Sequence, residues 1–362
     1  FPEDGPSYWT LYRKDHIIAS GLGLNCNRIG IEWSRIFPRS TRDVEVDVER
    51  ADDAGIAGIV ARPSTMEKLD GLADARAARH YREIISDLRE KSMKPIVCLN
   101  HFTLPLWIHT PVAVDGSKSE GRPRGWYDEE TIVEFWKFAA YVAWKLGDVV
   151  DSWATFNEPV VVAEGYLFPD RGFPPATRDI GAFKNVLCNM AVAHARAYDG
   201  IKMWDSIKAD ADSASPAEVG VIQNVSPMWP YRPEKDGAVA AFASHVHNSC
   251  WLEAICNGWL DQNLNGVKDR GEVKEYLANR VDWIGVNYYC RNVIKGGSVI
   301  LARLVAGLPY MPEIVKGYGN TCEPNSLSAD NKPTSDFGWE IYPEGLMDAL
   351  KLVSKYGKPM YV

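Results

Sequence analysis

Six short apolar runs alternate with long amphipathic segments along these 362 residues, and that alternation limits the fold more than any other feature. The runs are Asn25–Ile31, Pro95–Asn100, Trp153–Asn157, Val219–Val225, Val281–Asn287 and Pro359–Val362. Each is rich in β-branched or aromatic residues and flanked by turn formers, as expected for a strand buried on both faces. Between them lie helical patterns at Ala75–Lys91, Glu129–Leu146, Ile180–Trp204, Ala238–Ala254 and Pro343–Lys355. In the first of these, Tyr81, Ile84, Ile85 and Leu88 share one face. Strands alternating with helices predict parallel β-α units and an α/β fold.

Long connections follow the strand ends. Arg39–Ala73 is acidic and reads as irregular, Thr110–Arg124 is rich in Gly, Pro and charge, and Arg291–Asp336 is the longest. In a β-α barrel the loops after the strands build the active site, so this placement points to an enzyme. Residues 1–362 read as one barrel domain. A closed barrel of this kind has eight strands, whereas the sequence signals six.

Net charge is −8, which argues against a nucleic-acid partner, since that needs a basic face. No apolar run approaches the roughly 18 residues of a membrane span. Seven scattered cysteines without a C-x-x-C pair read as reduced, mostly buried thiols, which predicts a cytoplasmic protein. Thirteen Trp and sixteen Tyr either pack the core or stack on sugar rings.

The segment Ala154–Thr155–Phe156–Asn157–Glu158–Pro159 closes a strand with an amide, a carboxylic acid and a proline. The proline ends the ladder and biases Glu158 away from the right-handed helical region. An acid at a barrel mouth is well placed to meet a ligand. When its surroundings raise its pKa, such an acid protonates a leaving oxygen at neutral pH.

Thr155–Phe156–Asn157–Glu158–Pro159 resembles the acid/base motif of glycoside hydrolase family 1, the β-glucosidases and β-galactosidases. Four further segments resemble that family in order: Arg28–Pro38, Leu99–Pro105, Trp283–Tyr289 and Asp336–Leu346. The Arg39–Ala73 insert and the Gly172–Phe173–Pro174–Pro175 turn most resemble its archaeal branch. The resemblance implies an incomplete TIM (β/α)8-type barrel, no cofactor, no metal, and β-linked saccharides as substrates.

It also implies residue roles. Glu158 is the general acid/base and Asn157 binds the sugar 2-hydroxyl. Arg28 and Tyr289 serve the nucleophile carboxylate. His101, preceded by Asn100, binds a glycone hydroxyl. Asn287 and Asn224 are supporting polar residues, and Trp339 is a platform for the leaving group. Trp107 and Trp126 read as packing residues.

Retaining hydrolysis needs a second carboxyl group about 5–5.5 Å from the first. The family carries it in a Thr-Glu-Asn-Gly motif, which would begin just after Val362. The family's first and eighth strands also lack counterparts here. Glu32 and Glu340 are the nearest substitutes, but both occupy non-catalytic positions of the family motifs. Open apolar edges invite pairing, so a homo-oligomer or a complementing chain supplying the missing strands is expected. The alternative to a β-glycosidase is a non-catalytic carbohydrate-binding or assembly protein derived from the same barrel.

Asp261–Gln262–Asn263–Leu264–Asn265–Gly266, with Asp269 and Glu272, fits the spacing of an EF-hand calcium loop with candidate flanking helices. Lys268 takes the usual apolar position of that loop, which favours a polar surface turn instead.

Overall fold

A computed structural model describes residues 5–110, 123–168, 174–298, 300, 302 and 307–362. The chain divides into two compact units, Phe1–Asn157 with Val192–Gly220, and Glu158–Ala191 with Val221–Val362.

The first unit runs through α1 (Tyr8–Gly21), β1 (Cys26–Gly30), α2 (Trp33–Ile36), β2 (Asp47–Arg50), β3 (Ile56–Val60), α3 (Pro63–Leu72), α4 (Ala75–Glu90), β4 (Lys94–Asn100), α5 (Glu130–Leu146) and β5 (Ser152–Asn157). Strands β1, β4 and β5 pair in parallel, with Arg28 opposite Ile96 and Ile96 opposite Ser152. The start of β6 (Glu218–Asn224) joins this run, the Glu218 amide donating to the Asp151 carbonyl at 2.7 Å.

Helix α4 shows how sequence becomes structure here. The Asp74 carboxylate caps its start by accepting the Arg76 and Ala77 amides at 2.8 and 3.1 Å. Its predicted apolar face, Tyr81, Ile84, Ile85 and Leu88, is buried. The core beside it is aromatic. Trp33 stacks on Phe138 at 5.3 Å and Phe135 on Phe156 at 4.8 Å, while Trp126 meets Phe156 edge-on at 5.1 Å. Trp107 donates its indole N–H to the Phe37 carbonyl at 3.0 Å, so both it and Trp126 pack as expected.

The second unit holds α6 (Pro159–Glu164), the start of α7 (Ile180–Trp204), and the end of β6 followed by β8 (Trp283–Asn287) and β11 (Met360–Tyr361). Strands β8 and β11 are parallel, with Met360 opposite Ile284. A second sheet has the order β10 (Pro312–Ile314), β9 (Asn292–Gly296), β7 (Met228–Pro230). Helix α8 (Pro233–Ser244) packs on it, burying Val239, Ala240 and Ala243 against Ile294.

All six apolar runs contain strands. Three expectations need correction. Arg39–Ala73 is not irregular, for it contains the β2–β3 hairpin and α3. Strand β2 is exposed throughout, so it has no apolar signature to read. Arg291–Asp336 contains β9 and β10. Ala238–Ala254 is not one helix: α8 gives way to a π-helical segment, His245–Ser249, before α9 (Cys250–Asn257). Residues 111–122 of the Thr110–Arg124 connection, and Gly172 and Phe173 of the proline turn, lie outside the described residues. The seven cysteines are free, four of them buried.

Candidate active-site residues

Glu158 follows the last residue of β5. Its amide donates to the Ile222 carbonyl of β6 at 2.7 Å, and Pro159 opens α6 directly after it. Held between a ladder bond and a proline, its backbone sits at φ 54°, ψ 58°. It avoids the right-handed helical region, as expected, but takes the left-handed one. For a residue with a side chain this costs on the order of 1–3 kcal/mol and is seen mainly where a side chain must be aimed. Phe102, two residues past the end of β4, is also left-handed at φ 75°.

The Glu158 side chain is buried and its Oε1 is crowded. Asn287, the last residue of β8, donates from Nδ2 at 2.7 Å, and the Tyr289 hydroxyl donates at 3.3 Å. Asn287 is itself anchored, its carbonyl accepting the Val225 amide at 2.9 Å. Neither donor reaches Oε2, which takes no hydrogen bond among the described residues.

Tyr289 was expected to serve the nucleophile carboxylate; here its hydroxyl lies on Glu158. Its ring is half-exposed and meets Trp339 edge-on at 5.2 Å, and Trp339 meets Phe337 edge-on at 5.5 Å. This aromatic row is open to solvent, with Phe337 76% exposed.

In the first unit, Arg28 Nη1 donates to Asn157 Oδ1 at 3.1 Å. His101 is exposed and lies edge-on to Phe102 at 5.0 Å. Asn100 is buried, its Nδ2 closing the turn onto the Thr103 carbonyl at 2.9 Å while its Oδ1 finds no donor.

Asn224 ends β6, and its Oδ1 accepts from Ser226 Oγ at 3.2 Å and lies 3.3 Å from His247 Nε2. His247 Nδ1 is in turn 2.7 Å from Glu164 Oε1. This carboxylate–imidazole pair was not singled out from the sequence, because Glu164 and His247 are 83 residues apart. Both His247 and Asn248 lie in the π segment, where the His247 carbonyl accepts Gln223 Nε2 at 3.0 Å and Asn248 bonds the backbone of Ser226. His247 also lines an apolar cavity of about 420 Å3 with Phe183, Phe242 and Val246.

The two substitute carboxylates are engaged elsewhere. Glu32 accepts from Thr103 Oγ1 at 2.7 Å and Ser34 Oγ at 3.1 Å. Glu340 is buried against Arg291, with contacts of 3.0 and 2.9 Å. Burial pushes its carboxyl up, but Arg291, Ser328 and the Gly319 amide outweigh burial and hold it below the usual carboxylate range.

In the Asp261–Glu272 loop the acids bind the loop itself. Asp261 accepts the Asn265 and Gly266 amides and His245 Nε2, at 3.1, 2.9 and 2.6 Å. Glu272 accepts the Gln262 and Asp269 amides. Residues 273–282, directly after Glu272, hold no helix, contrary to the expected flanking pair. Among the described residues no cluster of His, Cys, Asp or Glu has metal-binding geometry. Nor is any described helix long and apolar enough to cross a membrane.

The sequence model of glycosyl hydrolase family 1 matches residues 70–362. The chain belongs to glycosyl hydrolase family 1, a family of glycosidases. A β-galactosidase of Pyrococcus woesei is 44% identical over 370 residues, covering all of this chain and 71% of that protein. The crystal structure of the β-glycosidase from Thermosphaera aggregans superposes with a TM-score of 0.86 at 38% identity, over 99% of this chain and 69% of its own. A β-glucosidase mutant derived from a hyperthermophilic tetrameric structure gives 0.83 at 38% identity, over 99% and 68%. The expected barrel type is therefore shown, with six of its parallel strands present here.

Proposed function

We propose that this chain carries the acid/base part of a retaining β-glycosidase site for terminal β-D-galactosides and β-D-glucosides. The observation that supports this most is the one-sided hydrogen bonding of Glu158, whose Oε1 accepts Asn287 and Tyr289 while Oε2 stays open. In the first step the Oε2 proton passes to the glycosidic oxygen as the bond to the anomeric carbon breaks. A second carboxylate attacks that carbon from the opposite face, giving a glycosyl ester. In the second step Glu158 takes a proton from water, and the resulting hydroxide displaces the ester carboxylate. Arg28, Asn157, His101, Asn224 and Trp339 are proposed to hold the substrate or the second carboxylate.

That second carboxylate is proposed to come from outside residues 1–362, either from contiguous polypeptide or from a complementing chain. The unpaired sides of β1 and β11 support this, as these strands end the strand order and Met360 and Tyr361 are exposed. The free cysteines support work in a reducing, cytoplasmic compartment.

Hydrolysis of aryl β-galactoside and β-glucoside tests the reading, with and without a polypeptide supplying the two flanking strands and a Thr-Glu-Asn-Gly segment. Activity that appears with the supplement and disappears in Glu158→Gln supports it. Sugar binding without hydrolysis in either case supports the non-catalytic alternative.

A further inference from the structure

In the first unit a cleft of about 580 Å3 opens between α1, α2 and α4. Three arginines line it, Arg35, Arg76 and Arg79, together with Trp9 and His80. Two acids also line it, and both are engaged. Asp74 caps α4 through the Arg76 and Ala77 amides and stands 4.0 Å from Arg76 Nε. Glu83 faces His80 Nδ1 at 3.3 Å.

The Arg35 guanidinium is positioned by an aromatic face rather than by a carboxylate. It lies 4.2 Å from the Trp9 ring centroid, and Trp9 is itself fixed by His80, whose Nε2 contacts the Trp9 carbonyl at 2.7 Å. A guanidinium stacked this way keeps its in-plane N–H donors unspent. Among the described residues no ion pair reaches Arg35 or Arg79. Asp74 and Glu83 offset two of the three guanidinium charges, Asp74 acting on both Arg76 and Arg79, so the lining keeps a small net positive charge in a chain of net charge −8.

We propose that this cleft binds a phosphate group. Planar guanidinium forks match tetrahedral oxyanions, and a dianion accepting from several of them relieves their mutual repulsion. The cleft has room for a phosphate ester as well as the free ion. The site is separate from the glycosidase chemistry proposed above and does not depend on it.

Isothermal titration with inorganic phosphate and with methyl phosphate tests the proposal, against sodium chloride at matched ionic strength. Saturable phosphate binding is expected. Its Kd should rise at least about tenfold, equivalent to ~1.4 kcal/mol, in Arg35→Gln and in Arg79→Gln. Arg35→Gln disturbs the Trp9 stack, so the exposed Arg79→Gln serves as the second variant, and circular dichroism confirms that each is folded. Tighter binding of methyl phosphate assigns the site to esters, and tighter binding of phosphate to the free ion. Absence of saturable binding above the chloride control, or equal affinity in the Arg79→Gln protein, overturns the proposal.

Discussion

Asn287 Nδ2 lies 2.7 Å from Glu158 Oε1, so the last residue of β8 grips the acid that follows β5. The Tyr289 hydroxyl adds to the same oxygen. The carboxyl is thereby turned so that its other oxygen takes no hydrogen bond among the described residues.

In a form of the enzyme supplied with its second carboxylate, Glu158→Gln should lower kcat/KM for alkyl β-glycosides by about 10²–10⁴. For aryl substrates whose leaving group needs no proton, the loss in the first step should be much smaller. Asn287→Ala removes a hydrogen bond worth about 0.5–1.5 kcal/mol, so a loss of roughly two- to tenfold is expected. Steady-state kinetics on a series of leaving groups checks both.

Asp205 should make stability depend on pH near neutrality. Burial, with smaller contributions from Asp151 and Asp148, pushes its carboxyl up to about 7, although Trp153 Nε1 at 2.8 Å and the Ile207 amide act in the other direction. Its Oδ1 is buried without a partner. The folded value lies above the unfolded one, so between about 4 and 7 the native state binds more protons. Stability is therefore lost as pH rises through that window, by no more than about 1.4 kcal/mol per pH unit. In Asp205→Asn this component should vanish. Urea unfolding of both proteins at pH 5, 6, 7 and 8 should show the difference between them changing up to pH 7 and then levelling.

Arg291 compensates a buried acid. Truncation to Ala leaves Glu340 without its partner, and a loss of about 3–5 kcal/mol is expected. Replacing both residues by Met and Gln should recover part of that loss. Thermal unfolding of the single and double variants measures it.

The Asp261–Glu272 loop should be indifferent to calcium. Its carboxylates already accept loop amides, so calcium or a chelator should leave the melting temperature unchanged and produce no binding heat. Asp261→Ala should destabilise by about 1–3 kcal/mol, because the Gly266 amide and His245 Nε2 lose their acceptor.

Strands β4, β5, β6 and β8 were legible because a β-strand covered on both faces advertises itself in a few consecutive residues, whereas β1 and β11 carry the same apolar signal but are largely exposed. Lys94–Asn100 and Ser152–Asn157 needed nothing beyond their own composition, and β5 delivered Asn157 and Glu158 to a strand end without further information. Helix α4 was legible for a similar reason, since its buried face of Tyr81, Ile84, Ile85 and Leu88 repeats within one segment. Strand β2 was not, for it is exposed throughout and carries no buried apolar face. The π segment escaped too, because a single widened turn leaves the helical residues on either side intact.

What the sequence determined by itself was local: the α/β class, the six strands, and an acid placed after an amide at the end of one of them. Only the tertiary structure decided which groups meet. It set Asn287 and Tyr289, 129 and 131 residues away, on one oxygen of Glu158. It joined Glu164 to His247 behind Asn224, and it left Asp205 buried with an unpartnered oxygen. Periodicity reports each residue's relation to its near neighbours along the chain. Convergence depends on strand register and helix packing, which sum over contacts that no short segment contains.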